Sequence, residues 1–329
     1  MNKFNTRYSF ITDESSKGFY YPFQFKEFKE KYKEDKKLLE GFSIDLLHFL
    51  DNLNYDNLKK TKTIVLNYNT NEEELKSELT DFIISLEDKE LIQEYAKIIN
   101  NENTINISNE INDLFCGTCI EEEGIPYINL IQRNTLEDFT TLAHEMGHAL
   151  QYTLFKDHTN DYIKYSFFEV SSYYFELLMM HYIEKHTNFN IPAALLISNR
   201  INYINSYIWK SHLANFINSL NTFDEDSIKD YVSSSFSINC IHDDISKLRI
   251  PNVEETTNLI SSFMIACNLY LETINDKEEG LYKYKNLMTS PNYDLMKFLD
   301  CNNVNFIKDN TPYDLLKIQS EIAYKKLIK

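Results

Sequence analysis

The chain carries one H-E-x-x-H, within Thr140-Thr141-Leu142-Ala143-His144-Glu145-Met146-Gly147-His148-Ala149-Leu150-Gln151. On a helix, positions i and i+4 share a face about a turn apart, so the imidazoles of His144 and His148 can hold one metal ion. Glu145 points about 100° round the axis and can reach a water beside that ion. Such a group polarises a carbonyl and lowers a water's pKa towards ~7, the chemistry of peptide-bond hydrolysis. With 8 His in the chain, a chance H-E-x-x-H is roughly a one-in-a-hundred event.

A catalytic zinc site takes three protein ligands and keeps a fourth position open. The downstream candidates are Glu169, Glu176, His158 and His181. Glu169 opens a strongly apolar helix, where an unpaired carboxylate is costly and a bound dication removes the cost. Glu176, on nearly the same face, can orient a ligand histidine or form a peripheral salt bridge. His158 falls in a polar loop and His181 nearly three turns beyond Glu169, positions that suit surface or packing roles.

These residues must be held by helices. Leu142, Met146, Ala149 and Leu150 give the first one an apolar stripe. Gly147 costs ~1 kcal/mol of helix propensity against Ala, and its missing side chain lets another backbone approach. Thr135-x-x-Asp138 is the expected cap. Upstream, Thr104 to Ser108 alternates as a strand, and Phe115–Ile120 with Ile125–Ile131 reads as a hairpin turning at the acidic Gly-Ile-Pro segment. Residues 1 to 61 read as a short helical region, with one apolar stripe over Lys37 to Leu53. Thr63 to Asn67 is a brief apolar run. Asn71 caps a helix over 71 to 85, and another covers 88 to 99. After Thr135 the chain is nearly all helical, over about 165–186, 192–220, 225–239, 254–276, 277–288, 292–299 and 312–327.

Composition agrees. Gly and Pro number 6 each, which suits long helices, and 43% of 329 residues are hydrophobic, enough for a large core. The net charge of −17 argues against nucleic acid and anionic membranes as partners; it favours cationic peptides or simply serves solubility. No run of about 18 apolar residues offers a membrane span, and Met1 to Arg7 has no apolar signal core. Five scattered cysteines suit reduced thiols in the cytoplasm. Cys116-x-x-Cys119 has no second pair and lies on an expected strand, so a structural or incidental role is expected.

Tyr127-Ile128-Asn129-Leu130, the run Thr135 to Leu150, and Phe168-Glu169-Val170-Ser171-Ser172-Tyr173-Tyr174-Phe175-Glu176 together resemble the thimet oligopeptidase and oligoendopeptidase F family of zinc metallopeptidases. The family pattern is a hairpin strand, H-E-x-G-H, and about 20 residues later F-x-E-x-x-S-x-x-x-E. The likeness covers residues 62 to 190, with a weaker echo at Ser290 to Leu299. It implies a mainly α fold: a zincin-like metallopeptidase catalytic domain with a small β-hairpin or sheet next to the active-site helix. It divides the chain into a short helical N-terminal region, 1–61, the remnant of a larger lobe, and a catalytic domain, 62–329. It implies one Zn²⁺ per chain on His144, His148 and Glu169, with Glu145 as general base and then proton shuttle. Glu176 would sit behind a ligand histidine. Strand 125 to 131, with Tyr127 and Asn129, would lie along the substrate cleft and pair with an extended peptide.

The chain departs from the family in three ways. Gln151 stands where the family has a further His that is not a ligand. The N-terminal lobe is shorter, so the cleft is expected to be open or covered by a protein partner. The downstream His/Tyr segment that donates to the oxyanion reads Arg249-Ile250-Pro251-Asn252, Glu255, Leu259, Ser261, Phe263. The His is replaced by Asn252 and the tyrosines are absent. His242, Tyr270 and Tyr293 are candidate substitutes for a donor worth ~10²–10³ in rate. The expected function is a cytoplasmic zinc-dependent oligopeptidase. Two alternatives are a zinc-binding, peptidase-like protein with weak or no activity, acting as a peptide-binding or partner subunit, and a peptidase dedicated to one precursor peptide.

Overall fold

A computed structural model describes residues 5–7, 19–20, 25–53, 63–101, 103–109, 116–155, 167, 169–187, 189, 191–235, 249–250, 253–290 and 294–327. The order is β1 (Asn5–Arg7), β2 (Phe19–Tyr20), α1 (Phe25–Phe42), α2 (Ile44–Asn52), β3 (Thr63–Val65), α3 (Glu72–Ser85), α4 (Lys89–Ile99), β4 (Ile105–Ser108), β5 (Gly117–Glu122), β6 (Ile125–Ile131) and α5 (Glu137–Phe155). Then follow α6 (Val170–His186), α7 (Ala193–Ser219), α8 (Glu225–Ser235), β7 (Arg249–Ile250), α9 (Val253–Asn275), α10 (Lys277–Met288), α11 (Leu295–Cys301) and α12 (Thr311–Leu327). The fold is mainly α, as expected, with a small three-stranded sheet and two short two-stranded ribbons. Among the described residues no helix is long and apolar enough to cross a membrane.

The single stripe expected over 37–53 is two helices. Ser43 breaks it with an extended backbone (φ −164°, ψ 116°), and its hydroxyl accepts from Leu46 N at 3.1 Å, capping α2. Asn71 caps α3 as expected, its side chain accepting from Glu74 N at 2.9 Å. Helix α6 starts at Val170, with Glu169 at its cap position.

Three strands form a sheet in the order β4-β6-β5. β6 runs parallel to β4 and antiparallel to β5. Glu123 (φ 53°) and Gly124 (φ 83°) make the two-residue hairpin turn, whose double positive φ matches the twist of the flanking strands. The turn is therefore tighter than expected: Ile125 and Pro126 belong to β6. Proline is tolerated there because β4 pairs with β6 only from Ile128 onward, so no ladder donor is lost.

Two further ribbons are antiparallel, β1 with β3 and β2 with β7. Chain 66–68 ties down the entry to α5: Tyr68 N donates to Asn134 O and Leu136 N to Leu66 O, both at 2.9 Å. The expected Thr135/Asp138 cap is half made. The Asp138 carboxylate accepts from Arg133 N and Thr135 N at 3.0–3.1 Å, while the buried Thr135 hydroxyl has no hydrogen-bond partner.

Helix α5 lies against β5 and β6 on one side and α6 on the other. Val170 to Met180 and Tyr182 to Ile183 of α6 are all buried, so this helix runs through the main core rather than along its surface. A second core joins Phe28 and Tyr32 of α1 to Trp209, Leu213 and Ile217 of α7 and Ile228 and Val232 of α8.

Candidate active site

Two glycines let the elements of the site meet. A Cβ on Gly147 would lie 2.6 Å from Ser171 O and 2.7 Å from Ser172 Cα, so α5 and α6 touch backbone to backbone. A Cβ on Gly117 would lie 2.8 Å from Glu145 Oε1, so the Glu145 side chain rests on the main chain of β5. The close approach expected at Gly147 is present; the one at Gly117 was not foreseen.

His144 and His148 come off one face of α5, with ring centroids 5.2 Å apart. The Nε2 atoms of both face Glu169 Oε2, at 3.2 Å from His144 and 3.3 Å from His148. Bonds of about 2.0–2.1 Å to a tetrahedral ion put neighbouring ligand atoms about 3.3 Å apart. Two imidazoles and a carboxylate at this spacing are a donor set that fits zinc. Ser172 Oγ donates to Glu169 Oε2 at 2.7 Å and steadies the carboxylate at the head of α6.

Glu176 lies one face along α6, behind His144. His144 Nδ1 donates to its Oε2 at 3.0 Å, which leaves Nε2 for a metal ion at the position it shares with Glu169. The other oxygen, Oε1, accepts from Arg200 Nε (2.9 Å) and a terminal guanidinium nitrogen (2.6 Å), reached from α7. Arg200 also lies over the rings of Tyr173 and Tyr203, 5.3 and 5.1 Å from their centroids. Tyr173 meets His144 edge to face at 5.4 Å.

Burial works to raise the Glu169 carboxyl, but His148 and His144 overcome it and hold the group well below its ordinary range. Glu176 is lowered against the same burial by Arg200 and His144. Burial works to lower the His144 imidazole, and Glu169 and Glu176 raise it to about 10. Glu145 differs: burial raises its carboxyl, and His144 and His148 offset this only in part. A carboxyl pushed up beside two imidazoles can both accept and return a proton.

Other expected residues fall elsewhere. Tyr127 and Asn129 do not face Glu145. Gly117, which touches Glu145, is opposite Leu130, and side chains alternate along a strand. Pro126, Ile128 and Leu130 therefore turn inward and are buried, whereas Tyr127 and Asn129 turn to the far face. There they line a groove of about 630 Å³ with Glu72 and Lys76 of α3 and Tyr95 of α4. Nor can β6 pair with a peptide over Ile128–Ile131, because β4 and β5 occupy both its edges. Among the described strands the open edge beside Glu145 is that of β5.

His181 packs against Tyr270 at 6.2 Å, about three turns down α6 from Glu169, so neither belongs to this group. Phe263 is buried edge-on against Tyr173 (5.4 Å), one ring removed from His144. Neither Cys116 nor Cys119 is in a disulfide, and strand alternation turns them to opposite faces. Burial, with Glu145 nearby, pushes the Cys119 thiol up. His158, His242, Asn252 and Tyr293 lie outside the described residues.

Sequence reasoning missed Arg200 and Tyr152. Burial raises the Tyr152 phenol, and Cys119, Glu121, Glu169 and Glu145 add to the shift. Its signal was its spacing, four residues after His148 on the same helix face. Arg200 had no local signal.

No family model matches the chain, and no curated protein matches it. Solved structures do match in fold. One is a provisionally assigned oligoendopeptidase F from Bacillus anthracis str. Ames, 10% identical, with a TM-score of 0.60 over 94% of this chain and 57% of that one. Another is PZ peptidase A with an inhibitor, 12% identical, TM-score 0.61, over 92% and 58%. A third, a provisionally assigned peptidase from Chlamydophila abortus, is 15% identical, TM-score 0.53, over 92% and 55%. The chain thus has the fold seen in these peptidase structures and spans a little over half the length of each.

Proposed function

We propose that this chain is a zinc-dependent peptidase acting on oligopeptides. The observation that carries the proposal is the convergence of His144 Nε2, His148 Nε2 and Glu169 Oε2 beside a buried Glu145 that rests on Gly117 of β5, the end strand of the described sheet. Zinc held by the three would polarise the scissile carbonyl and make a water acidic.

The chain's own residues do the rest. An extended peptide pairs with β5, which brings its backbone past Glu145. Glu145 takes a proton from the attacking water, and its raised carboxyl suits it to return that proton to the leaving amine. Glu176 fixes the His144 ring and Ser172 fixes Glu169. Cys116, Cys119, Cys267 and Cys301 are in no disulfide, which fits a reducing compartment such as the cytoplasm.

One observation favours a second reading, a peptide-binding protein of low turnover. Phe263, in the segment where the resembled family places its tyrosine donors, offers no hydroxyl and is sealed in the core. A fluorogenic peptide library on zinc-loaded protein separates the two, with Glu145→Gln as control. Cleavage lost about 10²–10⁴-fold in the variant supports the enzyme; equal inertness with stoichiometric zinc binding supports the binding protein.

A further inference from the structure

Glu176 has two oxygens and two tasks. Oε2 receives the His144 Nδ1 proton; Oε1 is gripped by two nitrogens of one guanidinium. The carboxylate is nearly sealed from solvent, with its side chain 3% exposed. Its orientation is therefore decided by protein groups, and among the described residues Arg200 makes a two-bond contact with it. The guanidinium is fixed in turn between the rings of Tyr173 and Tyr203. Tyr173 closes the circuit by resting edge-on against His144 itself. Helix α7 thus reaches Glu176 through Arg200, with Tyr203 of the same helix bracing the guanidinium.

We propose that Arg200 is a positioning residue for the metal ligand His144. It acts by clamping Glu176, and it touches neither substrate nor metal. The fork takes Oε1, so only Oε2 is free for imidazole, and it stops the carboxylate from turning about its last bond. His144 is thereby held in the tautomer that presents Nε2 to the metal position. A guanidinium does this because it is planar and bidentate; an ammonium at the same place supplies equal charge without the fork. The inference rests on the zinc reading of His144, His148 and Glu169.

The test compares zinc affinity, by competition with a chelator, in wild type, Arg200→Lys, Glu176→Gln and the double variant, without peptide. Removing a partner behind a metal ligand typically weakens binding about 10–100-fold. Arg200→Lys is expected to weaken zinc about tenfold although charge is kept, and to add less than twofold in the Glu176→Gln background. In the apo protein, the downfield Nδ1–H resonance of His144 is expected in wild type and broadened or lost in Arg200→Lys. Wild-type affinity and an unchanged resonance in a folded Arg200→Lys overturn the inference, as do effects of the two substitutions that simply add. If the lysine variant does not fold, Arg200→Gln is measured against Glu176→Gln by the same two readouts. A wild type that binds zinc and cleaves peptide while Arg200→Lys behaves identically removes only this inference. A wild type that binds no zinc removes the metal reading with it.

Discussion

Gly147→Ala sets two physical effects against each other. By helix propensity the substitution should stabilise α5 by ~1 kcal/mol. By packing it should do the reverse, because the new methyl would sit 2.6 Å from Ser171 O and 2.7 Å from Ser172 Cα. Ordinary contact needs about 3.4 Å or more, so α6 must retreat by about 0.8 Å. The obstacle is main chain and cannot rotate away, which puts the cost at the upper end of the ~1–3 kcal/mol typical of overpacking. The expected net loss is about 2 kcal/mol. The retreat also carries Glu169, at the head of α6, away from His144 and His148, and misplacement approaching 1 Å can cost ~10² in rate. Urea denaturation of the apo protein and chelator competition for zinc measure the two consequences separately. Gly147→Ala that gains stability and keeps wild-type zinc affinity would refute the claim that the helices meet at backbone contact.

Gly117→Ala places its methyl 2.8 and 2.9 Å from Glu145 Oε1 and Cγ and 3.0 Å from Thr141 Cγ2, so stability should fall by ~1–2 kcal/mol while peptide cleavage falls at least tenfold; unchanged turnover would show that Glu145 does not depend on this seat. Asp138→Ala removes the acceptor for Arg133 N and Thr135 N where α5 begins and should cost ~1–2 kcal/mol by denaturant titration; a neutral result would mean water caps the helix equally well. Zinc at 100 times its dissociation constant should stabilise the fold by about 2.7 kcal/mol, read as a shifted thermal midpoint that a chelator reverses. Glu169→Ala should abolish that shift, and full retention of it would dismiss Glu169 as a ligand.

Local chemistry was legible in the sequence. His144 and His148 had to share a helix face because four residues make about one turn. Glu169 stood out as a carboxylate with no local partner in an apolar run. Asn71 announced its helix through its side chain. What stayed hidden depended on partners distant in sequence. The alternation of β6 showed two faces, but which one meets α5 is decided by Gly117, in another strand. β6 looked available to a peptide until β4, separated from it by a segment of other character, closed its edge in parallel. Arg200 is one cation among 33 basic residues in the sequence, and only the packing of α7 on α6 singles it out. Tyr270 looked like a spare hydroxyl, and the length of α6 carries its neighbour His181 too far from Glu169 for it to serve.

Among the described residues β5 has an open edge, which bears on how molecules of this chain would treat one another. An edge that accepts an extended peptide also accepts the same edge of another copy, and unpaired strands are where sheets aggregate. Glu121 and Glu122 end β5 and Glu123 begins its turn, all three exposed. Two copies joined there would line six carboxylates along one short ribbon, inside molecules that each already carry −17. A short peptide, above all one with lysine or arginine, meets attraction at the same place. If β5 takes peptides as proposed, the acidic turn would leave the strand open to them while opposing pairing between copies.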